Sequence, residues 1–149
     1  MMNFSSFQIA RKICELSTWQ VTNLSLQKIL YFCHMIYLGE NNGKPLAEEN
    51  FQAWMYGPVL PNLYEKLKIF GADPIANRFY GVEDIQDKQL NSFLERVAGA
   101  LLKRKPWELV TLTHSKTGAW AKNYISGQNK KISNEDILEE YREFNERYK

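Results

Sequence analysis

The chain has 149 residues, of which 44% are hydrophobic and 24% charged, with a formal net charge of +2. That length and composition suit one folded domain with its own core and exclude extended disorder. So small a net charge gives no footing for binding nucleic acid or an acidic membrane through charge alone.

Two cysteines, Cys14 and Cys33, do not make a disulfide framework. The longest apolar stretch, Ile29 to Leu38, contains His34 and falls well short of the ~20 residues a membrane span needs. Met1 to Leu16 lacks the basic head and apolar block of a secretion leader, so a reducing cytoplasm is the expected compartment and no membrane partner is expected.

In chain order, the first predicted helix covers Ser5 to Ser17. Ser5 and Gln8 have capping-box spacing, and Ile9, Ala10, Ile13, Cys14 and Leu16 make one apolar face. Leu24 to Leu38 reads as a second helix, with Thr22 or Asn23 as its cap. It is apolar nearly all round, which places it in the middle of a domain. Its narrow polar strip, Gln27, Tyr31 and His34, shares one side and has two readings: it meets the surface, or it contacts the polar groups of another helix. Gly39 and Asn41-Asn42-Gly43 are expected to stop this helix.

Asn50 to Tyr56 alternates in a period of two and predicts a short strand, with Phe51, Ala53 and Met55 on one face and Gln52, Trp54 and Tyr56 on the other. Gly57-Pro58 is expected to end it. Pro61 suits the first turn of a helix whose stripe is Leu60, Leu63, Tyr64 and Leu67, closed by Gly71. Arg78 to Tyr80 reads as a second short strand closed by Gly81.

Asp87 is placed to cap a helix running through Lys103. The basic run Lys103-Arg104-Lys105 then reads as cations at a helix C-terminus. Pro106 opens another helix, Trp107 to Thr113, closed by His114. Thr117 or Ser115 is expected to cap a short helix holding Trp120 and Tyr124, and Ser126 to Lys131 reads as a polar loop. In the last helix Ser133 and Asp136 have capping-box-like spacing, Ile132 and Ile137 flank the cap, and Ile137, Tyr141, Phe144 and Tyr148 form the stripe. Its other face, Glu139, Glu140, Glu143 and Glu146 with Arg142 and Arg147, is expected to be solvated, the alternative being contact with a basic partner. The sum is a mainly α (α+β) fold: a single domain over residues 1–149, with about six or seven helices and a small antiparallel β element.

Catalytic equipment is not expected. Cys33 and His34 are neighbours, yet on a helix they point about 100° apart. Cys33 lies on the apolar face, where a thiol stays protonated and inert. Cys14, Cys33, His34 and His114 lack zinc-site spacing, and no glycine-rich phosphate cradle is present, so neither metal nor cofactor is expected. No acid stands alone in an apolar segment, the arrangement that raises a carboxyl pKa for catalysis. His114 has two readings: a ring bonding the last carbonyls of its helix, or a partner contact.

Three segments, in order, resemble one family. These are LSLQKILYFCHMIYLGENNGKPL, FQAWMYGPVLPNLYEKL and WELVTLTHSKTGAWAKN. Together they are similar to the Panacea domain, the SocA-like antitoxin domain that includes phage-associated proteins of the GepA type. The resemblance covers roughly Ile9 to Tyr124 and leaves out the helix at 132–149. Lys28 and Tyr31 match its first motif; Tyr56, Gly57 and Pro58 its second; His114 and Trp120 its third. Cys33-His34 departs from the pattern, which would have an alanine and an ordinary polar residue there.

The resemblance implies an antitoxin of a bacterial or prophage toxin–antitoxin pair, acting by direct binding of a cognate toxin protein. It implies a Clp-type protease as a further partner where the toxin is delivered for degradation. The residues proposed to meet the partner are Trp54, Tyr56, Pro58, Tyr64, His114 and Trp120, since tryptophan and tyrosine dominate interface hot spots. The competing reading is that these rings fill the gap between strand and helices. An alternative function is regulation of its own operon through Lys103-Arg104-Lys105, Trp107 and Lys130-Lys131.

Overall fold

A computed structural model describes residues 4–147. Seven α-helices and three short strands follow in the order α1 (Ser6–Leu16), α2 (Asn23–Glu40), β1 (Gln52–Trp54), β2 (Gly57–Val59), α3 (Pro61–Leu67), α4 (Lys88–Leu101), α5 (Pro106–Thr113), α6 (Ala119–Asn123), β3 (Lys130–Lys131) and α7 (Asn134–Arg147). The expected mainly α architecture with a small antiparallel sheet is what forms. No helix among the described residues is long and apolar enough to cross a membrane.

The helix starts follow local chemistry. Ser5 and Gln8 complete the capping box of α1. Thr22 caps α2, Asp87 caps α4, and the Ser133 hydroxyl accepts from the Asp136 N–H at 3.1 Å at the head of α7. Because α2 is apolar on nearly every side, it lies at the centre, in contact with α1, α3, α4, α5, α7 and β2. Leu26, Ile29, Leu30, Phe32, Met35 and Leu38 are all buried there.

Gly39 does not stop α2, which runs on to Glu40. Its bare Cα is used for close packing: a Cβ at Gly39 would come within 2.1 Å of the Tyr141 ring of α7. The strand expected over 50–56 is shorter, and Gly57-Pro58 does not end the β structure. The chain turns at Met55-Tyr56 and returns as β2, with Gln52 opposite Val59, Ala53 opposite Pro58 and Trp54 opposite Gly57. Pro58 is tolerated because β2 is an edge strand in the order β2-β1-β3. Part of the expected polar loop supplies β3, where Lys130 pairs with Ala53 and Lys131 with Gln52.

Arg78 to Tyr80 is not a strand. Phe79 is instead buried beside Trp19, ring centroids 6.2 Å apart, and anchors an irregular segment. Helix α4 ends at Leu101, and Lys105 is already the residue flanking α5. Gly118, not Thr117 or Ser115, precedes α6, and no side chain of the flanking residue caps it. Tyr148, expected on the stripe of α7, lies outside the described residues.

Candidate functional site

The sequence Trp54-Met55-Tyr56-Gly57-Pro58 builds the hairpin tip. Met55 and Tyr56, neighbours at the turn, are each 64% exposed. The tip is fixed from beneath by Lys28 of α2, whose Nζ donates to the Tyr56 carbonyl at 2.6 Å. Lys28 is 2% exposed and takes part in none of the ion pairs among the described residues. Burial therefore pushes its ammonium down to about 8. Gly57 has φ 122°, and a Cβ there would lie 3.2 Å from Lys28 Nζ and 3.5 Å from His114 Nε2. A glycine thus meets both the turn geometry and the close approach of the lysine.

Two aromatic groups flank the hairpin. On one side, the His114 ring stacks on Trp120 (centroids 4.1 Å apart, planes 6° apart), and Trp120 stacks on Tyr124 at 4.9 Å. Trp120 Nε1 donates to the Trp54 carbonyl at 2.7 Å, tying this stack to β1. On the other, the Trp54 ring meets Tyr64 of α3 edge-on at 5.1 Å, while Trp54 Nε1 donates to Gln52. The corner is thus built from α2, the hairpin, α3, and the α5–α6 region, brought together from distant parts of the chain.

Trp54, Tyr56, Tyr64, His114 and Trp120 therefore gather around one hairpin. Pro58 is with them but buried in β2. His114 does close α5, yet through its backbone N–H, which donates to the Val110 carbonyl at 3.1 Å; the ring goes to the stack. Burial lowers the His114 pKa, the nearby Lys28 charge adds to this, and the Tyr56 carbonyl opposes it. A neutral imidazole follows, suited to lying flat on an indole. Met55 and Tyr124 belong to the same corner without having been singled out for partner contact. The signal for Met55 was its position two residues before a Gly-Pro. Lys28 was legible as the lysine of an otherwise apolar helix.

A second polar arrangement lies between α2 and α7. The expectation that Glu140 is solvated is overturned: it is 6% exposed. Its Oε1 accepts from the Tyr31 hydroxyl at 2.5 Å and from the Ala119 N–H at 3.0 Å, so it takes the place of a cap for α6. Burial, foremost, pushes the Glu140 carboxyl up, against the pull of these two donors. Of the two readings of the polar strip of α2, the inward one holds: Gln27, Tyr31 and His34 are all buried. Gln27 accepts from the Leu60 N–H, and His34 sits between Asn134 of α7 and the Ala47 N–H. An acid does stand in apolar surroundings, then, but on the last helix, where sequence spacing had placed it outward.

His114 and Glu140 line one cleft of about 440 Å³. Neither thiol lies there. Cys14 and Cys33 are buried in the core, and burial pushes Cys14 to about 12 and Cys33 further still. The described residues hold no group of three or more His, Cys, Asp or Glu placed to share a metal ion.

Comparison with known proteins follows the same outline. The family described as "Antitoxin SocA-like, Panacea domain" matches residues 26–121. That range takes in most of α2, the hairpin and the histidine stack as far as Trp120, and leaves α1 and α7 outside. The chain is also similar to antitoxin SocA of Caulobacter vibrioides (strain NA1000 / CB15N), 33% identical over 110 residues, which make up 67% of this chain and 58% of that protein. The chain thus spans less than two thirds of that relative's length. No solved structure matches it. Since the matched range holds the hairpin and the lysine beneath it, the chain belongs to the SocA-like antitoxin family built on the Panacea domain.

Proposed function

We propose that this protein is an antitoxin that neutralises a toxic protein by direct binding, without turnover of a small substrate. Membership of the SocA-like family and the similarity to antitoxin SocA support the reading. The observation that carries the location is the hairpin tip. Met55 and Tyr56 project into solvent from a turn held by Lys28 and braced by two aromatic groups. Large apolar side chains on a rigid turn lose little conformational entropy on docking, which is what an interface anchor needs. Trp54, Tyr64, His114 and Trp120 are half-buried at its flanks and act as the rim; Pro58 shapes the strand behind it. Delivery of the toxin to a Clp-type protease is the finer form of the same reading.

The test is to express the neighbouring reading frame alone and together with this chain, following growth. Arrest by the neighbour and recovery on co-expression is the expected result. Purified complexes then report the site: Met55→Ala with Tyr56→Ala weakens toxin binding by roughly thirtyfold or more, the scale of a hot spot. Normal binding by the folded double variant would remove the tip from the interface. A second reading, binding to operator DNA, is favoured by the exposed run Lys103-Arg104-Lys105, with Lys105 Nζ 5.0 Å above the exposed Trp107 ring. A shift assay at low salt separates the two, since phosphate contacts weaken steeply as salt rises.

A further inference from the structure

We propose that the cleft between the α5–α6 connection and α7 is a receptor for one basic side chain, an arginine carried by a bound polypeptide. This rests on the reading that the protein works by binding another chain, but not on where the main contact lies. The cleft, about 440 Å³, has room for one long side chain and its backbone.

Its buried polar group is Glu140. Oε1 is fully accounted for by Tyr31 and Ala119, whereas Oε2 accepts no hydrogen bond from any described residue. Capping α6 explains the first oxygen and leaves the second with unused acceptor capacity. Gly118 keeps it uncovered, since a Cβ there would lie 3.0 Å from Oε2. Among the described residues only Arg11 Nε and His114 Nε2 are buried side-chain atoms without a hydrogen-bond partner, so Oε2 keeps access to solvent through the cleft, where a cation can reach it.

The rest of the lining selects the cation. Glu143 lies one turn along α7 on the same face and adds a second carboxylate. Lys116 is the one lysine of the lining, which the His114 ring also joins, and Lys122 acts on Glu140 from α6; both lysines are exposed. Two carboxylates against the one lining lysine exclude an anionic guest. Leu112 and Phe144 supply an apolar wall for a methylene stem, and Ser115 and Thr117 bring hydroxyls to the rim. A guanidinium can bridge Glu140 Oε2 and Glu143 with its planar fork, which a point-charge ammonium does less well.

The experiment titrates N-acetyl-arginine amide into the ¹⁵N-labelled full chain and follows amide shifts. Saturable shifts confined to residues 115–119 and 140–144 are expected, with no response to N-acetyl-glutamine amide. Glu140→Gln keeps an acceptor for Tyr31 and Ala119 and weakens binding by roughly tenfold, the loss of a charge-assisted bond. Glu143→Gln, at an exposed position, weakens it by about threefold and serves if the buried variant fails to fold. Absence of saturable shifts, an equal response to the glutamine compound, or unchanged binding in Glu143→Gln overturns the proposal. Any of these leaves the hairpin assay untouched, because that assay reads toxin binding through Met55 and Tyr56.

Discussion

The hairpin corner and the α2–α7 seam are both built on α2, yet they use polar and aromatic groups in opposite ways. At the corner Lys28 is buried so that Tyr56 can be exposed, and the lysine stands on a carbonyl with no ion pair. Along the seam, Tyr31 is hydrogen-bonded to Glu140 Oε1 and His34 to Asn134, between side chains turned inward. The corner, Tyr124 apart, falls inside the family match, whereas α7 falls outside it. The matched range thus includes the tip, and the helix that packs over α2 from the far side lies beyond it. Burial alone does not mark function here; what separates the two regions is whether the buried group supports something facing water.

Substitutions can break or sharpen that contrast. The largest effect is expected at Gly39→Val in the seam. Its Cβ would overlap the Tyr141 ring, and overpacking of that kind costs about 3 kcal/mol, read as a lowered midpoint in denaturant unfolding. An unchanged midpoint would mean that α7 does not hold α2 in this way.

Next comes the pH dependence of the corner. The folded pKa of Lys28 lies below its unfolded value, at about 8 against 10.5. Its charge burial is fully felt below the folded pKa and is relieved as pH rises towards the unfolded one. Wild type is therefore expected to gain about 2 kcal/mol relative to Lys28→Met between roughly pH 7.5 and 9.5. Parallel stability curves would remove the buried ammonium from the account.

Tyr31→Phe strips one donor from Glu140 and costs about 1–3 kcal/mol in the same unfolding assay. Glu140 also carries a sign of its own. Its pKa is raised by burial, so the stability it contributes is present in acid and declines as pH rises through the folded value. Glu140→Gln does not titrate and gains on wild type from acid to neutral pH. The smallest effect is at the tip: Tyr56→Ala shifts stability by no more than about 0.5 kcal/mol, because the ring is mostly in water. A large loss there would make Tyr56 a structural residue and erase the contrast.

Helix positions were legible because their signals are local. Ser5 with Gln8, Thr22, Asp87 and Ser133 act within one turn of themselves, and Pro61 and Pro106 open helices whatever surrounds them. Mistakes arose where a residue answered to a distant neighbour. Gly39 looked like a stop signal and is a seat for Tyr141; Glu140 looked solvated and meets Tyr31, far away in the chain. Arg78 to Tyr80 had strand-like residues, but Phe79 turns into the core beside Trp19.

By itself the amino-acid sequence determined the helical frame, the buried character of α2, the aromatic surplus around Gly57-Pro58 and the family. Periodicity, capping chemistry and ordered motifs are properties of neighbouring residues. Only the tertiary structure decided that the chain doubles back at Met55-Tyr56, that Lys28 stands under the turn, and that His114 lies on Trp120 instead of on its own helix end. Those outcomes depend on which surfaces α2 brings together, and a burial or a ring contact between segments far apart leaves no mark on the spacing within either one.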